Sequence, residues 1–121
     1  MESSVQSSKR LVGVSELGES QVSVVDDTPH GTLAVGMSDG QPFAVSNTCR
    51  HLFASLGKGA VVDGQLRCPR HAALYDVKTG KMTVGPQGAF KPIAGPVKAT
   101  MGARALKVYP VELRDDAIWL V

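Results

Sequence analysis

Both cysteines of this 121-residue chain, and two of its three histidines, fall in two short segments: Cys49-Arg50-His51 and Cys68-Pro69-Arg70-His71. The pattern is C-x-H, a gap of sixteen residues, then C-x-x-H. Each segment offers one sulfur and one imidazole, donor types that suit zinc and iron. Only a tight turn aims both donors at one point, and Pro69 stiffens the second turn by fixing its own φ. A lone cysteine is ordinarily a small core hydrophobe, and a lone histidine is ordinarily structural or solvated. Two matched pairs that use every cysteine in the chain are hard to obtain from composition. A Cys49–Cys68 disulfide would explain the sulfurs but not the paired imidazoles, and it suits secreted chains.

Metal binding by Cys49, His51, Cys68 and His71 therefore uses all four residues at once. Two occupants satisfy that donor set. One is a single tetrahedral zinc, which would make the chain a structural binding module. The other is a 2Fe–2S cluster with two sulfurs on one iron and two nitrogens on the other. Ligand count does not separate them. Spacing leans toward the cluster, because zinc fingers of the two-Cys, two-His kind place both cysteines first and both histidines later.

The elements that must hold these segments read as strands. Val12–Val14, Val22–Val25, Leu33–Met37 and Phe43–Ser46 are short apolar or alternating runs. Turn-rich pieces separate them: Asp26 to Gly31, then Ser38-Asp39-Gly40. Asp39-Gly40 predicts a hairpin, since glycine accepts positive φ without steric cost. Ala105–Leu113 and Ala117–Val121, flanking Arg114-Asp115-Asp116, predict a second one. Ser15–Glu19 suggests one brief helical turn. Short strands at close spacing point to an all-β sandwich or small barrel. Asn47 to about Gly80 is instead punctuated by Cys, His, Gly and Pro. Residues 85–104, rich in Gly, Pro and Ala, read as an ordered wrap pinned by Phe90, Ile93 and Val97.

Length and a mass of 12.7 kDa suit one domain with one real core. Aromatics at 5% supply no base-stacking surface, and 13 basic against 11 acidic residues is too small an excess for a phosphate-backbone binder. No apolar run reaches bilayer length. Met1–Arg10 is polar, includes Glu2 and lacks the apolar centre of a secretion signal, so a flexible start and a cytoplasmic chain with reduced cysteines are expected.

The four-residue pattern resembles the Rieske iron–sulfur family, whose signature is a C-x-H loop followed by a C-x-x-H loop. Flanking residues are similar too. Phe43-Ala44-Val45 leads into the first loop and Ala54-Ser55-Leu56 leaves it. Tyr75-Asp76 and Thr79-Gly80-Lys81 trail the second loop, and Leu106–Val111 with Ile118-Trp119-Leu120 match the closing strands. The resemblance runs from about Val12 to Val121. It implies a Rieske-type β-sandwich or small barrel spanning 11–121, with an inserted cluster-binding subdomain at about 46–84 and an insertion at about 85–104. It also implies a 2Fe–2S cluster held by Cys49 and Cys68 on one iron and by His51 and His71 on the other, with the histidine side near solvent. Neutral imidazoles in place of two thiolates raise the potential above that of an all-cysteine site. Loss of their outer protons should make the potential fall as pH rises.

Departures from the pattern are informative. Phe53 and Ala72 stand where many members carry glycine. The second cysteine pair of respiratory members is absent, and Ala73 replaces their serine, whereas Tyr75 is kept. Fewer hydrogen bonds to sulfur favour a low-potential, ferredoxin-like centre. Arg50 and Arg70, each beside a histidine, suggest a basic collar for an acidic partner. His30 is expected to be solvated, and Asp26-Asp27 and Asp115-Asp116 to serve turns rather than acid–base chemistry.

By this resemblance the chain is a soluble, monomeric electron carrier between a flavin reductase and a terminal oxygenase, with no nucleic-acid or membrane partner. The alternative is a non-catalytic small subunit of a larger oxygenase or nitrite reductase. Rieske oxygenases also need a mononuclear iron on two histidines and a carboxylate. Only His30 is left over here, so the chain is not expected to catalyse alone.

Overall fold

The computed structural model describes residues 9–48, 55–69, 72–84 and 105–121. Cys49, Arg50, His51, Phe53, Arg70, His71 and the whole of 85–104 lie outside the described residues.

Among the described residues, ten strands form three antiparallel sheets. β1 (Lys9–Gly13), β10 (Ala117–Leu120) and β9 (Val111–Arg114) make the first, in that order. β2 (Val22–Thr28), β3 (Gly31–Ser38) and β4 (Gln41–Ser46) make the second. β5 (Ala60–Val62), β6 (Gln65–Arg67), β7 (Leu74–Asp76) and β8 (Met82–Val84) form a four-stranded meander. The all-β expectation holds. No helix among the described residues is long and apolar enough to cross a membrane.

The middle sheet explains why Leu33-Ala34-Val35 and Phe43-Ala44-Val45 read as unbroken apolar runs. Successive strand side chains point to opposite faces. Leu33, Val35 and Ala44 face a core shared with Leu11, Val12, Ile118 and Leu120 of the first sheet. Ala34, Phe43 and Val45 face the other way, into a core with Leu66, Cys68, Ala73, Tyr75 and Met82 of the meander. Strands buried on both faces cannot alternate in polarity.

The two three-stranded sheets are joined through residues 105–109. Ser46 N donates to the Lys107 carbonyl at 2.9 Å, and Tyr109 N donates to the Ala44 carbonyl at 2.9 Å, around a single bridge of Val45 to Val108. Beyond Pro110 the chain leaves β4 and pairs with β10. A strand is therefore present only over Val111–Arg114, not over the whole of Ala105–Leu113 as the apolar pattern suggests.

Both expected hairpins form. Asp39 and Gly40 have φ of 52° and 77°, and Asp115 and Asp116 have 53° and 58°, the doubly left-handed turn that matches strand twist. Other boundaries move. Asp26-Asp27-Thr28 belongs to β2 rather than to a turn, because Asp27 (φ 58°) sits in a break of register between Val25 and Thr28. Lys9 and Arg10, inside the start expected to be flexible, pair with Leu120 and Trp119. A one-turn 3-10 segment at Val14–Glu16 answers the helical turn expected at Ser15–Glu19. His30 is exposed, and its ring also stacks on Tyr109 with centroids 4.2 Å apart.

Asp76 to Lys81 is a tightly bonded turn. The Asp76 carboxylate accepts from Lys78 N at 2.7 Å, and its carbonyl accepts from Gly80 N at 2.7 Å. Gly80 in turn accepts from Leu106 N at 2.8 Å and has φ of 80°, and a Cβ there would lie 2.1 Å from the Leu106 carbonyl oxygen. Gly80 thus clamps the meander to the segment that joins the sheets. Gly80→Ala should lower the unfolding free energy by about 2–3 kcal/mol in urea titrations. Gly18→Ala, also at positive φ (71°) but with nothing near the new methyl, should cost about 1 kcal/mol. Equal losses would show that the close approach is not what selects glycine at position 80.

Candidate metal centre

Of the four residues singled out from the sequence, Cys68 is the one among the described residues. It follows β6 directly and is 1% exposed. Its backbone N–H donates to the Ala73 carbonyl at 2.8 Å, and its carbonyl accepts from Ala72 N at 3.2 Å. These bonds tie Cys68 to the two residues that lead into β7. Ala72 has a φ of 58°. The site expected to require glycine is left-handed, and alanine bears the strain.

The base of the first segment is fixed in another way. Thr48 and Ser55, the described residues on either side of 49–54, form an antiparallel bridge. Asn47 organises that base. Its amide donates to Ser55 Oγ at 2.9 Å, its side-chain oxygen accepts from Gly57 N at 2.7 Å, and its carbonyl accepts from Leu56 N at 2.7 Å. Nothing in the donor pattern flags this residue. The available signal is its type, since asparagine bonds nearby backbone readily.

The two bases meet. Leu56, fully buried at the start of a 3-10 turn (Leu56–Lys58), shares one core with Cys68, Ala73 and Tyr75. Gly59 lies against the Arg67 carbonyl so closely that a Cβ would be 2.0 Å from its oxygen. A further hairpin turn at Asp63-Gly64 (φ 50° and 80°) fixes β5 on β6, although the sequence reading passed over it. Beside Cys68 is an open cleft of about 410 Å³, walled among the described residues by Lys58, Gly59, Ala60, Arg67, Pro69 and Ala72.

This geometry fits an iron–sulfur centre as far as the described residues reach. Cys68, of a residue type that can bind iron, lines the cleft, and Leu56, Cys68 and Ala73, which flank the two sequence motifs, share one buried core. The comparisons decide the family. The Rieske [2Fe-2S] domain model matches residues 3–110. The chain belongs to the Rieske [2Fe–2S] family. It is 32% identical to the ferredoxin subunit of 3-phenylpropionate/cinnamic acid dioxygenase from Photorhabdus laumondii subsp. laumondii, over 88% of this chain and 87% of that one. It is 34% identical to the anthranilate 1,2-dioxygenase ferredoxin subunit from Burkholderia cepacia, over 71% and 66% respectively. Its fold is similar to that of the Sphingomonas yanoikuyae B1 ferredoxin, with a TM-score of 0.68, 26% identity and coverage of 93% of this chain and 95% of that one. The cofactor of this Rieske ferredoxin is therefore a 2Fe–2S cluster rather than zinc, and the chain is an electron-transfer component rather than a catalyst.

Ala72→Gly should relieve the left-handed strain of about 1–2 kcal/mol, partly offset by the extra freedom glycine gives the unfolded chain. A net gain of up to about 1 kcal/mol is expected in urea unfolding followed by circular dichroism. A loss of stability would mean that the alanine methyl packs productively.

Proposed function

We propose that this Rieske ferredoxin is a soluble, cytoplasmic, monomeric carrier that takes single electrons from a flavin reductase and delivers them to a terminal oxygenase. In this reading Cys49 and Cys68 hold one iron, and His51 and His71 hold the other. The observation that carries it is the placement of buried Cys68 on the platform from which both donor-bearing segments rise. The cluster, when bound, supplies a centre that accepts and returns one electron. The chain's part is to keep that centre still and partly shielded. Cys68 is fixed by the hydrogen bonds of its own turn, Tyr75 (1% exposed) and Leu56 exclude water beneath it, and Asn47 holds the other segment's base. A stiff site changes little between charge states, which favours rapid exchange of electrons. Modest charge and few aromatics support protein partners over nucleic acid.

Ala73 is fully buried and carries no hydroxyl for a sulfur atom, which supports a low potential. Ala73→Ser should raise the midpoint in an anaerobic titration followed by electron paramagnetic resonance, with the visible spectrum retained. A lower midpoint would count against this account of the potential. Cys68→Ala, Cys49→Ala, His51→Ala and His71→Ala should each lose iron and sulfide while the strand signal in circular dichroism persists. Full iron content in any one of them would remove that residue from the ligand set. Electron flow from a reductase to an oxygenase through the purified protein tests the partners. A protein that elutes only in a fixed assembly with a larger enzyme would favour the subunit alternative.

A further inference from the structure

The cleft beside Cys68 has a charged rim. Lys58 ends the 3-10 turn that follows the first segment, and Arg67 ends β6, one residue before Cys68. Gly59, pressed on the Arg67 carbonyl, locks together the two backbones that carry these cations. Both side chains are exposed, and among the described residues neither is paired with a carboxylate. The other arginines among the described residues are paired: Arg10 with Glu16 at 3.6 Å, and Arg114 with Glu112 at 3.1 Å. Glu2 aside, every aspartate and glutamate of the chain lies among the described residues, so the chain has almost nothing else with which to neutralise the rim.

The carboxylates of the same hairpin are at its opposite end. Register puts Ala60 opposite Arg67 at the cleft, and Val62 opposite Gln65 at the far end, where Asp63 turns the chain. Asp39 is there too, its carboxylate 2.5 Å from where a Cβ on Gly64 would stand. Between the two cations the cleft is lined by Ala60, Pro69 and Ala72, small side chains that leave room for an incoming group.

We propose that Lys58 and Arg67 form a docking rim that seats an acidic surface of a redox partner protein over the cleft beside Cys68. The proposal rests on the function given above, because it takes this cleft as the electron's way out. Two unneutralised cations attract carboxylates over roughly 30 Å at 0.01 M salt and only about 10 Å at 0.1 M. Their contribution therefore lies mainly in encounter rate, and it fades as salt rises.

The test compares two full-length holoproteins of equal charge change, K58E/R67E and K78E/K81E. Lys78 and Lys81 lie in the β7–β8 turn, beyond Asp76 at the end far from the cleft. Stopped-flow mixing of each reduced protein with ferricyanide moves one electron from the protein's reduced centre to the oxidant and yields ferrocyanide. At about 10 mM ionic strength K58E/R67E should react at least about fivefold more slowly than K78E/K81E. It should react faster with the cation hexaammineruthenium(III), and both differences should vanish at high salt. Equal rates for the two variants with both oxidants would overturn the rim.

Binding of poly-L-glutamate, followed by titration calorimetry at the same low salt, reads the rim without reference to electrons. K58E/R67E should lose it and K78E/K81E should keep it; equal binding overturns the rim as well. Wild-type protein lacking iron would instead defeat the function on which the proposal rests, and the polyglutamate result would still decide the rim. If the charge reversal misfolds, K58Q/R67Q carries the same comparison with a smaller expected change.

Discussion

Burial of β3 and β4 on both faces is the constraint on which the rest depends. Leu33, Val35 and Ala44 supply one core, while Ala34, Phe43 and Val45 supply the other. A single middle sheet thus serves as the floor of the base and as the ceiling of the meander that holds Cys68. Each core alone is small for a chain of this size, and sharing strands lets both close. A polar side chain at any of these positions would be buried in whichever core that position faces.

On that floor the metal centre is positioned by contacts that contain no metal donor. Asn47 closes the base of the first segment with three hydrogen bonds, and Gly59 brings that segment's exit against β6. Gly80 ties the opposite end of the meander to Leu106. A stiff base of this kind suits redox work, in which a centre must change little between its two charge states.

Much of this was legible in the sequence, for identifiable reasons. The two hairpins showed because Asp-Gly and Asp-Asp between apolar runs admit few backbone solutions. The family showed because cysteine and histidine paired at matched spacings are hard to obtain from composition alone. The base-holding residues did not show, since the hydrogen bonds of Asn47 and the close backbone approaches of Gly59 and Gly80 exist only in the assembled fold. The meander reads as punctuated loops because each of its four strands has only three residues, too few for a period to register. Asp27 misled because its left-handed backbone serves a bulge inside β2 rather than a turn. Ala105–Leu113 read as one strand because its apolar pattern is continuous across a change of partner, from β4 to β10.

That change of partner bears on how the chain assembles during synthesis. β2 through β8 pair almost entirely with their immediate neighbours in sequence, so these hairpins can form soon after they emerge from the ribosome. β1 emerges ahead of these hairpins, yet it must wait for β10 before its edge is covered. The half that carries the cysteines is therefore built from local pairings. The sheet of β1, β10 and β9 stays open until β10 has emerged.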